Sequence, residues 1–140
     1  MLSAVLETFR PKARRENSVR ELVAAANVGD YDAAGELLTD DFVIADVNGS
    51  EVSGKDDFIR EDRRFRNAAG QPLLVLESID HNRGEVLVRG HMEGGVEDVS
   101  GPTMWRVGFR GDKIAHVEVT RAMSNVTMPA YASRGALLNC

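Results

Sequence analysis

Between Ser18 and Gly29 the apolar positions Val19, Leu22, Val23 and Ala26 fall at i, i+3, i+4 and i+7, which lays one apolar stripe along a helix. Ser18-Val19-Arg20-Glu21 has the spacing of a capping box, Pro11 offers an earlier start, and Gly29 a stop. Asp30 then caps a short second helix that buries Ala34, Leu37 and Leu38. Thr39-Asp40-Asp41 hands over to a strand, Phe42 to Val47, which is apolar apart from Asp46 and ends in the turn signal Asn48-Gly49. A third helix opens at Ser53-Gly54 and closes at Gly70. It turns Phe58, Ile59 and Phe65 inward and sets Asp56 with Arg60 and Asp62 with Arg66 as i, i+4 pairs.

From Pro72 onward the pattern changes to strands: Leu73 to Ile79, Glu85 to Glu93, Val99 to Phe109 and Ile114 to Arg121, joined at Asn82-Arg83-Gly84, Gly94-Gly95 and Arg110-Gly111-Asp112. Helices followed by a meander of hairpins predict an α+β fold, with three N-terminal helices packed in the concave face of a curved, mostly antiparallel sheet. Leu22, Leu38, Phe58, Ile59 and Phe65 are the expected core, and a strongly curved sheet would enclose a pocket. Residues 1–122 read as a single domain, with 1–15 as a lead-in. Residues 123–140 read as a C-terminal extension whose Met128, Tyr131, Leu137 and Leu138 want a surface: the mouth of the pocket, as a lid, or a partner subunit, as a dimer arm.

Composition narrows the function classes. At 140 residues, 43% hydrophobic and 28% charged, one globular domain is expected. A net charge of -5 and a pI near 5.2 argue against nucleic acid as a partner. The apolar runs stop short of the roughly 18 residues of a membrane span, so no membrane partner and a cytoplasmic location are expected. Cys140 is the only cysteine, which leaves no intrachain disulfide, and the three histidines fall on different elements, so no metal site is expected. Arg63-Arg64-Phe65-Arg66, balanced by Asp56, Asp57, Glu61 and Asp62, reads as a solvated helix face. There is no Gly-rich phosphate loop, Ser-based elbow or Cys-His pair, and no cofactor is expected.

The stretch AAANVGDYDAAGELLTDDFVIADVNGSEVSG, from Ala24 to Gly54, with the strand closings VLVRGHMEGG and WRVGFRGDKIAHVEV, resembles the nuclear transport factor 2-like superfamily, in the branch of SnoaL-like polyketide cyclases and ketosteroid isomerases. The likeness covers about Glu16 to Ala122 and implies a cone-shaped sheet around a ligand pocket. It sets Asp46 where ketosteroid isomerases keep their general-base carboxylate, while the positions of the isomerase oxyanion-hole donors fall on Leu22 and near Trp105. Similarity to limonene epoxide hydrolase-like enzymes matches Arg89 but sets His91 and Val119 where those enzymes hold aspartates.

These two comparisons, with strand alternation, give an expected inner face of Phe42, Ile44 and Asp46, then Arg89 and His91, Trp105 and Val107, Val117, Val119 and Arg121. In the enzymatic reading Asp46 is the base, His91 carries the proton, and Arg89 or Trp105 steadies developing negative charge. Phe42, Ile44, Val107, Val119 and Arg121 complete the contacts to a small hydrophobic molecule. The reaction class is then cofactor-free isomerisation, cyclisation or dehydration. Other readings stand beside it: Asp46 as the Asx residue opening the Asn48-Gly49 turn, Arg89 and Arg121 as partners of carboxylates, and the whole domain as a non-catalytic module for ligand storage, sensing or dimerisation. The outer sheet face, with Val75 and either Val86 and Val88 or their neighbours, suggests a homodimer.

Overall fold

We describe a computed structural model of the chain that covers residues 2–122, 124 and 126–134, with side chains from Pro11 onward. Helix α1 (Leu2–Val28) begins upstream of Pro11 and ends at Gly29, whose φ of +76° is the left-handed conformation a glycine adopts without penalty. Gly29 N–H donates to Ala26 O at 3.1 Å and Asp30 N–H to Ala25 O at 2.8 Å, the paired bonds of a Schellman stop. Helix α2 (Tyr31–Glu36) follows, and its N-cap Asp30 accepts from Ala33 N–H at 3.1 Å, as the sequence predicted.

Strand β1 (Leu38–Asp46) starts earlier than the apolar run suggests, because Leu38 already pairs with Ile114. It turns at Asn48-Gly49 into β2 (Glu51–Ser53), a short edge strand the sequence reading did not separate. Helix α3 (Lys55–Ala68) lies across β1. The meander then runs β3 (Leu73–Asn82), β4 (Glu85–Glu93), a 3-10 turn Glu97–Val99, β5 (Gly101–Arg110) and β6 (Lys113–Thr120). Helix α4 (Met128–Arg134) ends the described chain and packs on α3, β1 and β2.

The six strands form one mixed sheet in the order β2-β1-β6-β5-β4-β3, antiparallel throughout except that β1 and β6 run parallel. The α+β class and the helices on the concave side stand as expected from the sequence. Curvature has a local source: β3 carries one extra residue, Glu77, between Leu76 opposite Gly90 and Ser78 opposite Arg89. At Gly90 any Cβ would run into the carbonyl of Val75, so the bulge needs a glycine there.

Leu22, Leu38, Phe58 and Phe65 are buried with Phe42, Val86, Val107, Ile114 and Val117, and Phe42 meets Phe58 edge-on with ring centroids 4.9 Å apart. Ile59 is only partly buried at the rim of this cluster. Of the two alternatives for the outer face of β4, Val86 and Val88 belong to the core and their neighbours Leu87 and Arg89 stand on the outer face. One further expectation is corrected: Arg60 pairs with Asp57 at 3.1 Å and Glu61 at 3.5 Å rather than with Asp56.

Candidate functional site

Within the cone lies an apolar cavity of about 60 Å³, walled chiefly by Phe42 and Ile44 of β1, Phe58 and Phe65 of α3, Met92 of β4 and Trp105 of β5. Val99, Val117, Val119, Leu22 and Ala26 complete the apolar lining, and Val126, Thr127 and Met128 close it from the C-terminal segment. The volume admits a few waters or a compact organic group and falls well below the roughly 300 Å³ at which drug-sized sites begin.

Of the residues expected to face inward, Phe42, Ile44, Trp105, Val117, Val119 and Arg121 line this cavity, and Val107 is buried in the core beside it. The register explains the agreement: Ile44 stands opposite Val117 and Val117 opposite Val107, while Asp46 stands opposite Val119 and Val119 opposite Trp105. Trp105 in turn pairs with Val88, so the inner row of β4 is Val86, Val88, Gly90 and Met92. Arg89 and His91 therefore lie on the opposite face, a correction of one residue in phase. The expected phase would have driven two polar groups into the core and turned Val86, Val88 and Met92 out to solvent. His91 instead bonds Glu77 Oε1 through Nδ1 at 2.7 Å and approaches Glu93 at 3.4 Å. The hydrogen bond from His91 to the Glu77 carboxylate is the main reason its pKa is raised above the ordinary histidine value.

Asp46 is on the inner side of the sheet and buried, but it does not line the cavity. Its Oδ1 accepts from the backbone N–H of Asn48 at 2.9 Å and of Ser50 at 3.0 Å, the Asx arrangement of the turn. Its Oδ2 accepts from Thr127 Oγ1 at 2.7 Å. Asp46 and His91 are thus not brought together.

The charges that do line the cavity are Asp62, Arg66 and Arg121. Helix α3 places the first two: Phe58, Asp62 and Phe65 fall on one stripe at i, i+4 and i+7, which carries the Asp62–Arg66 pair inward beside the two aromatics. Arg66 Nε donates to Asp62 Oδ2 at 3.0 Å, and Tyr31 Oη donates to the same oxygen at 2.8 Å. Arg66 Nη1 donates to Asn27 Oδ1 at 3.2 Å and Pro72 O at 3.1 Å. Asn27 also pairs with both backbone groups of Leu74, each at 3.0 Å, and so ties the end of α1 to the edge of β3. Burial, then the charge of Asp62, raises the Tyr31 pKa well above that of a free phenol.

The i, i+4 spacing of Asp62 and Arg66 predicts a solvated pair; the sequence signal for their burial is that both share the stripe of Phe58 and Phe65. Arg66 is only 7% exposed. Arg121, which also lines the cavity, is half-buried and bonded to backbone carbonyls. Among the described residues no three His, Cys, Asp or Glu side chains converge as a metal site requires, and no helix is long and apolar enough to cross a membrane.

Comparison with known proteins agrees with this architecture. The chain is similar to solved structures of a cystatin-fold protein from Novosphingobium aromaticivorans (24% identity, 75% of this chain and 96% of that one, TM-score 0.67). It is also similar to a nuclear transport factor 2-like protein from Burkholderia xenovorans LB400 (15% identity, 91% and 96%, TM-score 0.65). A third, from Catenulispora acidiphila, has a ketosteroid isomerase-like fold (17% identity, 83% and 92%, TM-score 0.63). At these identities the likeness shows the fold alone. No curated protein matches the chain. The model of the SnoaL-like domain matches residues 19–117, from the apolar stripe of α1 to the inner row of β6, and the chain belongs to the SnoaL-like domain family.

Proposed function

We propose that the protein binds a small, largely apolar organic molecule in the cone, with a polar group of that molecule turned toward Asp62 and Arg66. The observation that supports this is a buried, hydrogen-bonded carboxylate–guanidinium pair set in a wall of Phe, Val and Trp side chains, the usual composition of a small-molecule site. Phe42, Ile44, Trp105 and Val119 supply the apolar contacts. The chemistry such a cavity would host is cofactor-free proton transfer: isomerisation, cyclisation or dehydration. In that scheme Asp62 takes the place the sequence reading gave to Asp46. Tyr31 and Arg66 both bond Oδ2, and Oδ1, which takes no bond among the described residues, is the atom that would accept a substrate proton. Arg66 would steady the resulting oxyanion.

A non-catalytic binder is the second reading, favoured by the small size of the cavity. Trp105 is the only tryptophan and lines the cavity, so its fluorescence reports occupancy directly. Compact cyclic ketones, lactones and alcohols should shift its emission and raise the melting temperature, as any ligand selective for the folded state does. Proton exchange next to a bound ketone, followed by NMR in deuterated water and lost in Asp62→Asn with binding kept, supports catalysis. Binding without exchange leaves a binder, and a silent Trp105 across the panel removes both.

The homodimer through the outer sheet face belongs to the same proposal. Leu73 and Met104, each 46% exposed, stand there with Leu87 among ion pairs such as Arg106–Glu118. A single-chain mass by light scattering at micromolar concentration would remove it.

A further inference from the structure

The cavity holds two guanidinium groups and one carboxylate. Arg66 is matched by Asp62 at 3.0 Å. Arg121 has no carboxylate within reach among the described residues. Its Nη2 donates to Ser100 O at 2.8 Å, its Nη1 to Val126 O at 2.9 Å and Asp98 O at 3.4 Å, and its Nε to Pro102 O at 3.4 Å. Carbonyl dipoles orient and partly solvate the group, but they carry no net charge. A half-buried charge without a counterion is unfavourable, and burial alone pushes the Arg121 pKa below the usual arginine value. A guanidinium has five N–H donors, of which these bonds take four, and the one left is on Nη2.

We infer that the ligand is a compact organic monoacid whose carboxylate pairs with Arg121, its apolar body lying against Met92 and Trp105. This rests on the cavity being a ligand site. The carboxylate supplies the missing negative charge and an acceptor for the remaining donor, a charge-assisted bond at a half-buried site. The cavity volume excludes a fused polycycle. The competing reading makes Arg121 a tie that fastens the Asp98–Pro102 segment to Val126 and nothing more, and it predicts no preference for charge.

The experiment compares acid with neutral isostere on the full chain: benzoate with benzamide, and hexanoate with hexanamide, each titrated against Trp105 fluorescence and melting temperature. The acid should bind at least tenfold more tightly than its amide. Read as the ratio of acid to amide affinity within each protein, that preference should vanish in Arg121→Met and return in part in Arg121→Lys. Equal affinity for acid and amide in the unmodified protein overturns the inference while leaving the cavity reading intact, and it needs no variant to fold. Tighter acid binding that survives in Arg121→Met removes the assignment to Arg121. If neither acid nor amide perturbs Trp105, the inference fails, and the cavity reading is decided separately by the panel of ketones, lactones and alcohols.

Discussion

Thr127 Oγ1 donates a 2.7 Å hydrogen bond to Asp46 Oδ2 across 81 residues of sequence and accepts one from Ala130 N–H at 3.1 Å. One hydroxyl thus caps α4 and fastens it to the end of β1, while the other Asp46 oxygen holds the Asn48 turn. Asp46→Ala should therefore cost roughly 2–4 kcal/mol, since it leaves backbone donors and a buried hydroxyl without acceptors. Asp46→Asn, which keeps one acceptor oxygen, should cost about 1 kcal/mol, as should Thr127→Val by loss of the cap. Chemical denaturation checks the order. A variant with unchanged stability but lost ligand turnover would restore Asp46 as a catalytic group.

The cluster around Asp62 makes a second prediction. Asp62→Ala strands a buried Arg66 and should cost about 3–5 kcal/mol, more than Tyr31→Phe, which removes one of two bonds to Oδ2 and should cost about 1 kcal/mol. Because the Tyr31 pKa is raised in the folded state, its contribution is whole below the unfolded value near 10 and is lost as pH climbs from there toward the folded value. Ultraviolet titration of Tyr31→Phe against the parent should lose a phenol that ionises late. If the lost phenol titrates near 10, Tyr31 is not buried against Asp62.

Much of this architecture was legible in the sequence because local signals and global packing agree. The Gly29 stop, the Asp30 cap, the Asn48-Gly49 turn and the alternation of β1, β5 and β6 are each short-range patterns, and each appears where the pattern puts it. For β4, similarity to other enzymes and the apolar run Val86, Val88, Met92 point to opposite phases, and the structure follows the run. A strand between two others has its inner face fixed by which alternate row can lose water, and that row is the apolar one. The polar centre escaped for the opposite reason. Asp62 and Arg66 are charged residues in an apolar stripe, and only the arrival of Tyr31, Asn27 and the Pro72 carbonyl around them makes their burial tolerable. Those partners come from three separate segments, so no spacing along α3 announces them. The edge strand β2 is three residues long, too short for alternation to show.

His91 gives a test of the corrected phase. Its raised pKa comes first from Glu77 and then from Glu93, both on the outer face. Its favourable pairing is complete below the unfolded histidine value near 6.5 and is lost as pH rises through the folded value. NMR titration should find His91 ionising above 6.5 and moving down in Glu77→Gln. His91→Gln should leave ligand affinity at Trp105 unchanged, and a large loss of affinity would place the imidazole on the wrong face here.

The C-terminal segment supplies the last test, because it forms part of the cavity wall. Val126, Met128 and Tyr131 are each under 10% exposed, and the Tyr131 ring meets Phe65 edge-on at 5.6 Å. Burying each such side chain contributes about 1.5–3 kcal/mol before the cost of ordering the segment. Ending the chain after Ala122 should therefore lower the melting temperature by several degrees. It should also open the cavity to water, red-shift Trp105 emission and speed ligand release more than it slows capture. Tyr131→Ala in the full chain should reproduce part of both effects. A truncated protein that melts where the parent does, with unchanged emission and release rate, would show that α4 neither stabilises the cone nor encloses its ligand.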